Sequence, residues 1–430
     1  MTNRSQLDTE HLKREVVAPW VISAIVVGGV AAAATATAAF VTAKFSRSVV
    51  IPTDSATENL RVYGVDLDAG TVTLGISADS LVAGRYSLWF ANGTGHARIG
   101  GIRSVADGRV VRTLESVDYG ELQDARWCRL GSWYYLDPRE LGLDVHDVEV
   151  ETELGPAPAW LVPAEPRATS ADEAGSAGAG AEAGAGAGAA AESEGTTPAS
   201  RWAILVHGRG VRRAETIRAL PLFHELGYTT LQVSYRNDGE APPSADGRYA
   251  LGDTEWHDVD AAMTFAVEHG ATDIVLMGWS MGGATVLQAA TRSASRQYLR
   301  AVVLDSPVVA WSDTIVFQGH LNHLPTSISK AVMATIGSEV GRPITGQSQP
   351  IDFKRLDFVA RASEVSWPVL ILHSDDDGFV PSTASRRLAE ARPDLVTLVP
   401  FSVAKHVRLW NYDPEKYTTS IRSWLVKNAG

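Results

Sequence analysis

The sequence predicts an α/β protein: a mostly parallel sheet with helices on both faces, preceded by a transmembrane helix and a small β-rich domain. Three observations carry that prediction. From about residue 200 to the C-terminus, strand-like apolar runs alternate with helical stretches, which implies parallel strands joined by helices. Residues 46–144 hold short runs of strand composition punctuated by Gly and Asp/Asn clusters. Between Glu15 and Lys44 there is no charged residue at all.

Residues 1–15 form an N-terminal tail, and residues 16–43 are an uncharged run long enough to cross a bilayer as a helix. Small triplets near Ala36 also suit a cleaved signal peptide, although its apolar stretch would be unusually long. An uncleaved anchor is therefore the expectation, with the lipid bilayer as a partner. Arg4, Lys13 and Arg14 lie before the run; Lys44, Arg47 and Arg61 lie after it. That slight bias favours a single-pass protein of the cell membrane with its C-terminal part extracytoplasmic. The single Cys128 forms no internal disulfide and does not bear on the compartment.

In the 46–144 domain, Val62–Val65, Thr71–Ile76 and Gly84–Phe90 have strand composition. No catalytic constellation falls there, and a spacer or gating module is the default reading. The segments Asp147–Leu154 and Pro158–Pro163, joined through Gly155-Pro156-Ala157, read as a hairpin that opens a second domain, 145–430. Residues 167–200 are Ala/Gly-rich with interspersed Glu, lack apolar bulk and are expected to be disordered. They read as an insertion inside the second domain, because loop-closure entropy grows only logarithmically with length. Arg201–Val206 is a strand, Arg213–Leu226 helical, Thr229–Tyr235 a strand, and Asp253 a plausible N-cap of a helix running to His269.

The richest stretch is Gly278-Trp279-Ser280-Met281-Gly282-Gly283. It follows the apolar run Asp273–Met277 and precedes Ala284–Ala290, so it reads strand, sharp turn, helix. A G-x-S-x-G in that context lifts its serine out of the sheet, and Gly278 and Gly282 let strand and helix approach closely. A serine hydroxyl needs a base to take its proton and a third group to orient the base. Downstream, the strand-like run Pro368–His373 ends in Ser374-Asp375-Asp376-Asp377-Gly378-Phe379-Val380-Pro381, and His406 lies in the loop after the strand Leu395–Pro400. The order Ser, Asp, His is the one used by α/β-hydrolases.

These residues resemble the α/β-hydrolase-fold serine hydrolases, bacterial members in particular. Such proteins carry His-Gly-x-Gly after the third strand, matched by His207-Gly208-Arg209-Gly210. They also carry a late His-x-x-x-Asp-x-x-Val-Pro segment, matched by His373, Asp377, Val380 and Pro381. Ser374 stands where the family usually has Gly. The resemblance covers roughly residues 145–430. It implies Ser280 as nucleophile, His406 as base and Asp377 as acid, with Asp305, after the strand Ala301–Leu304, as the rival acid. It implies an oxyanion hole from the backbone N–H groups of Met281 and Arg209, a pinning role for His207, and a small helical cap in 309–363 where substrate is selected. The Arg209 side chain either meets an anionic substrate group or points to water.

Other candidates are weaker. Asp375 and Asp376 read as solvated carboxylates. A calcium loop through Gly378 would need a carboxylate where His373 stands and a Glu where Ala384 stands. His320 and His323 without a third ligand make a poor metal site. No nucleotide-binding fingerprint appears, and the net charge of −12 argues against nucleic acid as partner. The implied activity is hydrolysis of an ester, thioester or amide in a small-molecule or acyl substrate, with no cofactor and no metal. A serine peptidase or acyltransferase of the same fold, or a non-catalytic scaffold, are the alternatives.

Overall fold

A computed structural model describes residues 19–52, 57–165 and 200–429, without the side chains of 19–34. A helix, α1 (Pro19–Val50), leads into a closed six-stranded antiparallel barrel and then an eight-stranded sheet.

The barrel strands are β1 (Leu60–Asp66), β2 (Thr71–Gly75), β3 (Tyr86–Phe90), β4 (Gly95–Ala106), β5 (Arg109–Tyr119) and β6 (Trp127–Gly131), ordered β1-β2-β5-β4-β3-β6 with β6 pairing back on β1. Closure removes the edges that a six-stranded sheet would otherwise expose. Asp107 and Gly108 both have positive φ, so a two-residue turn matched to strand twist joins the long β4–β5 hairpin. Val72, Leu74, Tyr86, Leu88, Phe90 and Ile99 fill the interior. The domain begins later and ends earlier than the composition suggests. Residues 46–50 belong to α1, while Trp133, Tyr134, Leu141 and Leu143 pack on the sheet domain.

The sheet comprises β7 (His146–Thr152), β8 (Gly155–Val162), β9 (Arg201–Val206), β10 (Thr229–Val233), β11 (Asp273–Trp279), β12 (Leu299–Asp305), β13 (Val369–Ser374) and β14 (Val396–Phe401). Their order is β14-β13-β12-β11-β9-β10-β8-β7, parallel from β14 to β10, with β8 antiparallel to β10 and to β7. The chain leaves at the end of β8 and returns in β9 of the same sheet, so the Ala/Gly-rich segment interrupts one domain; residues 166–199 themselves lie outside the described residues.

The helices are α2 (Leu220–Glu225), α3 (Trp256–Glu268), α4 (Met281–Arg292), α5 (Trp311–Leu321), α6 (Thr326–Ile336), α7 (Arg342–Thr345), α8 (Thr383–Ala391), α9 (Leu409–Tyr412) and α10 (Pro414–Asn428). Period-2 alternation divides the strands between two cores. Ile204, Val206 and Leu276 face the side of α3, α4 and α8. Ala203, Leu205, Val275 and Met277 face the side of α2 and α10. Helices α5 to α7 fill the excursion between β12 and β13, inside the interval expected for a cap. Asp253 does not cap α3, which starts at Trp256; its carboxylate pairs with Arg292 instead.

The uncharged run expected to cross a membrane falls on α1, with residues 16–18 outside the described residues. Among the described residues no helix is long and apolar enough to cross a membrane, and the expected anchor finds no support there. The helix also runs past the uncharged segment to Val50, and its last turns dock on protein. Ser46 and Val50 are buried, and Phe45 and Val49 pack against the sheet-domain core. Val50 O accepts from Tyr249 N, and Arg47 Nη1 donates to Ile344 O in the cap.

Candidate active site

Ser280 follows β11, Asp305 ends β12, Asp377 follows β13 and His406 follows β14. All four stand at the carboxyl ends of parallel strands, where open α/β sheets bind ligands.

The Ser280 turn is built by its neighbours. Ser280 has φ +51 and ψ −116, a conformation costly for a residue with a side chain, of order 1–3 kcal/mol. Glycines let the surroundings close on it. A Cβ at Gly278 would lie 2.4 Å from Gly282 O, one at Gly282 2.2 Å from Val206 O, and one at Gly283 2.7 Å from the Pro307 ring. Substituting Gly278 or Gly282 would force strand and helix apart, and substituting Gly283 would push α4 against the loop of Pro307. The Ser280 backbone is held by Ser280 N to Asp305 O and by Val308 N to Ser280 O.

Ser280 Oγ lies 3.0 Å from His406 Nε2, and His406 Nδ1 lies 2.7 Å from Asp377 Oδ2. Burial opposes ionisation of Asp377, but electrostatic attraction to His406 and hydrogen bonds from His373 and His406 outweigh it and hold the carboxyl well below the usual range. A carboxylate only accepts, so the His406 proton sits on Nδ1 and Nε2 accepts from the Ser280 hydroxyl. Asp377 Oδ1 accepts from Phe379 N and Val380 N, both at 2.8 Å, which fixes the carboxylate in rotation. The Phe379 ring lies 5.1 Å from the His406 ring.

Asp305 is not part of this line. It is fully buried; Oδ1 accepts from Ser306 Oγ, and Oδ2 is 4.0 Å from Arg218. Burial raises its pKa, against the pull of Arg218. Asp375 and Asp376 pair with Arg386 and Lys405 at the surface. His320 bonds Thr326 Oγ1, and no metal-binding cluster occurs among the described residues.

The loop after β9 presses against Ser280: a Cβ at Gly208 would lie 3.3 Å from Ser280 Cβ. Buried His207 bonds Gly208 O through Nδ1 and Asp238 through Nε2, and it stacks on Tyr235. Gly208 N donates to buried Glu215, and Gly210 N points to Tyr249 OH. The N–H between them, that of Arg209, has no acceptor among the described residues. Met281 opens α4, so its N–H has no intrahelical acceptor and sits at the positive end of the helix. The Arg209 side chain takes neither orientation expected for it. Its Nη2 donates to Ser48 O at 2.6 Å and Ile51 O at 2.9 Å, tying the loop after β9 to the end of α1.

Two supporting residues had a structural role that the sequence did not disclose. Glu215 lies seven residues from the glycine it holds. Ser374, the departure from the family pattern, accepts from both Asp376 N and Ala404 N, linking the loop of Asp377 to the loop of His406.

Residues 218–430, just under half of the chain, match the model of the prolyl oligopeptidase family. The match supports a serine hydrolase of the α/β-hydrolase fold. Residues 61–131, the barrel, match a domain of unknown function, DUF8805. No curated protein matches. Among solved structures, the chain is similar to an esterase, Pf2001, from Pyrococcus furiosus, at 17% identity over 69% of this chain and 97% of that one, TM-score 0.48. It is similar to a puromycin-hydrolysing peptidase of Mycobacterium tuberculosis, at 18% over 79% and 47%, TM-score 0.48. It is also similar to XC6422, a lidless α/β serine hydrolase of Xanthomonas campestris, at 16% over 66% and 94%, TM-score 0.41.

Proposed function

We propose that this chain cleaves an ester, thioester or amide through an acyl-enzyme on Ser280. The unbroken hydrogen-bond line from Ser280 through His406 to Asp377 supports the reading. Ser280 Oγ attacks the carbonyl carbon and its proton passes to His406 Nε2. Asp377 holds the imidazole in the tautomer that can receive it and stabilises the cation that forms. The backbone N–H groups of Met281 and Arg209 hold the oxyanion. Collapse expels the alcohol, thiol or amine, which takes the proton from Nε2. Water then repeats the sequence on the acyl group and regenerates Ser280. Every proton in this cycle is moved by side chains and water, so the proposal calls for no cofactor.

Peptide-bond cleavage is the reading that the family match on residues 218–430 favours within this class. An acyltransferase would use the same residues with a different acceptor, and the cap helices α5 to α7 are where acceptor and acyl group would be selected.

The test is a fluorophosphonate probe on the full chain beside Ser280→Ala. Labelling of the wild type at Ser280, lost in the variant, is expected. Absence of labelling in folded wild type overturns the reading in favour of a scaffold.

A further inference from the structure

His406 sits in a loop that local preference does not explain. Its neighbours Lys405 and Val407 both have left-handed backbone, φ +63 and +53. A β-branched valine is strongly disfavoured there, so the surroundings must impose the conformation. The sheet domain supplies part of the hold: Val407 N donates to Ser306 Oγ, and Ala404 N to Ser374 Oγ.

The barrel supplies the rest. Immediately after His406, Arg408 Nη2 donates to Leu130 O at the end of β6, and its Nη1 lies 3.0 Å from Asp79. Fully buried Asn411 donates through Nδ2 to Arg85 O and Ser132 O, and its carbonyl accepts from Arg85 N. Tyr412 packs against the barrel core. Gly84, with φ +111, lies so close that a Cβ there would stand 2.1 Å from Asn411 O. The segment that grips the loop, residues 79–85, is itself organised from inside the barrel. The fully buried guanidinium of Arg112 donates to the carbonyls of Ser80, Val82 and Gly84, and to Gly100 O. No catalytic constellation lies in the barrel, yet one side of it is shaped to residues two to six positions beyond the base.

We propose that the barrel is an intramolecular clamp on the base loop: Arg112 orders residues 79–85, these hold Arg408 and Asn411, and the hold keeps His406 aligned between Ser280 and Asp377. Arg408 and Asn411 are positioning residues, since neither touches Ser280, His406 or Asp377. The inference rests on the assignment of His406 as base. A displacement of the order of an ångström in such a group lowers the rate by roughly 100-fold without altering ground-state binding.

The test uses the full chain with Arg408→Ala, Arg408→Lys, Asp79→Ala and the Asp79→Ala/Arg408→Ala double variant. The readouts are kcat and KM on p-nitrophenyl butyrate, fluorophosphonate labelling rate, and hydrogen exchange of residues 402–412. Arg408→Ala is expected to lower kcat and labelling about 10- to 100-fold with KM within about twofold, and to speed exchange in 402–412. Arg408→Lys should recover part of both. Asp79→Ala should show a smaller loss that does not add to that of Arg408→Ala, because both remove one contact. Asp79 is half-exposed, so its variant folds even if Arg408→Ala does not. Unchanged kcat, or unchanged exchange in 402–412, in folded Arg408→Ala or Asp79→Ala overturns the clamp. If wild type itself neither labels nor hydrolyses, the hydrolase reading fails, and exchange alone decides whether the barrel grips the loop.

Discussion

Replacing Asp377 by Asn should be far more damaging than replacing Asp305 by Asn, and the geometry says why. Asp377 Oδ1 accepts two backbone N–H bonds, from Phe379 and Val380, while Oδ2 faces His406 Nδ1. An asparagine has one acceptor oxygen and one NH2. Turning the NH2 toward Phe379 and Val380 would set donors against donors, so the oxygen must stay on the two backbone groups. The NH2 is then aimed at His406 Nδ1, which can only answer as an acceptor. The imidazole proton is driven to Nε2, the atom that must receive the Ser280 proton, and the base is blocked. The wrong tautomer in such a triad costs about 10⁴ in kcat, or roughly 5 kcal/mol of transition-state stabilisation. Asp305→Asn changes a buried group with one hydroxyl donor and a guanidinium 4.0 Å away, and should leave kcat within about tenfold of wild type. Steady-state hydrolysis of p-nitrophenyl butyrate at equal folded concentration, checked by circular dichroism, makes the comparison. Equal losses, or a larger one at position 305, would refute the argument and move the acid to the end of β12.

Ser280→Ala should retain the wild-type circular dichroism spectrum and lose at least 10⁴-fold in kcat, since an activated nucleophile has no local substitute; residual turnover above that level in purified variant rejects Ser280. Arg209→Ala should lower unfolding free energy by about 2 kcal/mol through two lost charge-assisted bonds to α1. Its backbone N–H remains, so kcat should fall less than about tenfold; a collapse of kcat at intact stability would mean that the side chain reaches substrate. Burial raises Glu255 from 4.5 to about 7, against backbone N–H groups of Ala250 and Gly252 that favour its ionised form. The folded state then binds more protons than the unfolded state between pH 4.5 and 7, so stability falls as pH rises through that window and levels off above it, by about 3 kcal/mol. Urea unfolding at pH 5 and 8 should show that fall in wild type and a flatter profile in Glu255→Gln; equal slopes would assign the pH dependence elsewhere.

What was legible in the sequence is what chemistry forces on short stretches. The Gly278–Gly283 turn is readable because its glycines answer to contacts that no Cβ tolerates. The late segment is readable because Asp377, Phe379 and Val380 must share one tight turn. The hairpin before the Ala/Gly-rich insertion is readable from its alternation. What was not legible depends on partners distant in sequence. The fate of the Arg209 side chain was set by carbonyls about 160 residues earlier in the chain. The long β4–β5 hairpin was missed because Arg, Ser and Gly dilute its apolar alternation, and only closure into a barrel makes that composition tolerable. The uncharged run through Ala43 has span-like composition, yet the helix that carries it continues to Val50 and ends in protein–protein packing that no hydropathy window reveals.

The two parts of the chain outside the α/β domain converge on the same small region from opposite directions. The end of α1 takes hold of the oxyanion loop through Arg209, and the barrel takes hold of the base loop through Arg408 and Asn411. Between them, the nucleophile is fixed by the sheet itself through Asp305 O and Val308 N. A hydrolase needs nucleophile, base and oxyanion donors in register to within about half an ångström. On the proposed assignment only Ser280 is placed wholly by the sheet domain, and the loops of Arg209 and His406 are placed with help from elements that the α/β domain does not contain. It follows that cutting the chain between the barrel and β7 should impair turnover more than folding, because the cores of the sheet lose only the end of α1, with Val50, Phe45 and Val49, whereas the base loop loses its hold on the barrel. Residues 1–131 and 132–430 expressed separately would show it: the second fragment should give the secondary structure of the sheet domain and a kcat below that of full-length Arg209→Ala, which lacks only the hold on α1, and adding the first should raise kcat. Full turnover by the second fragment alone would mean that the left-handed residues beside His406 are held by the sheet domain unaided.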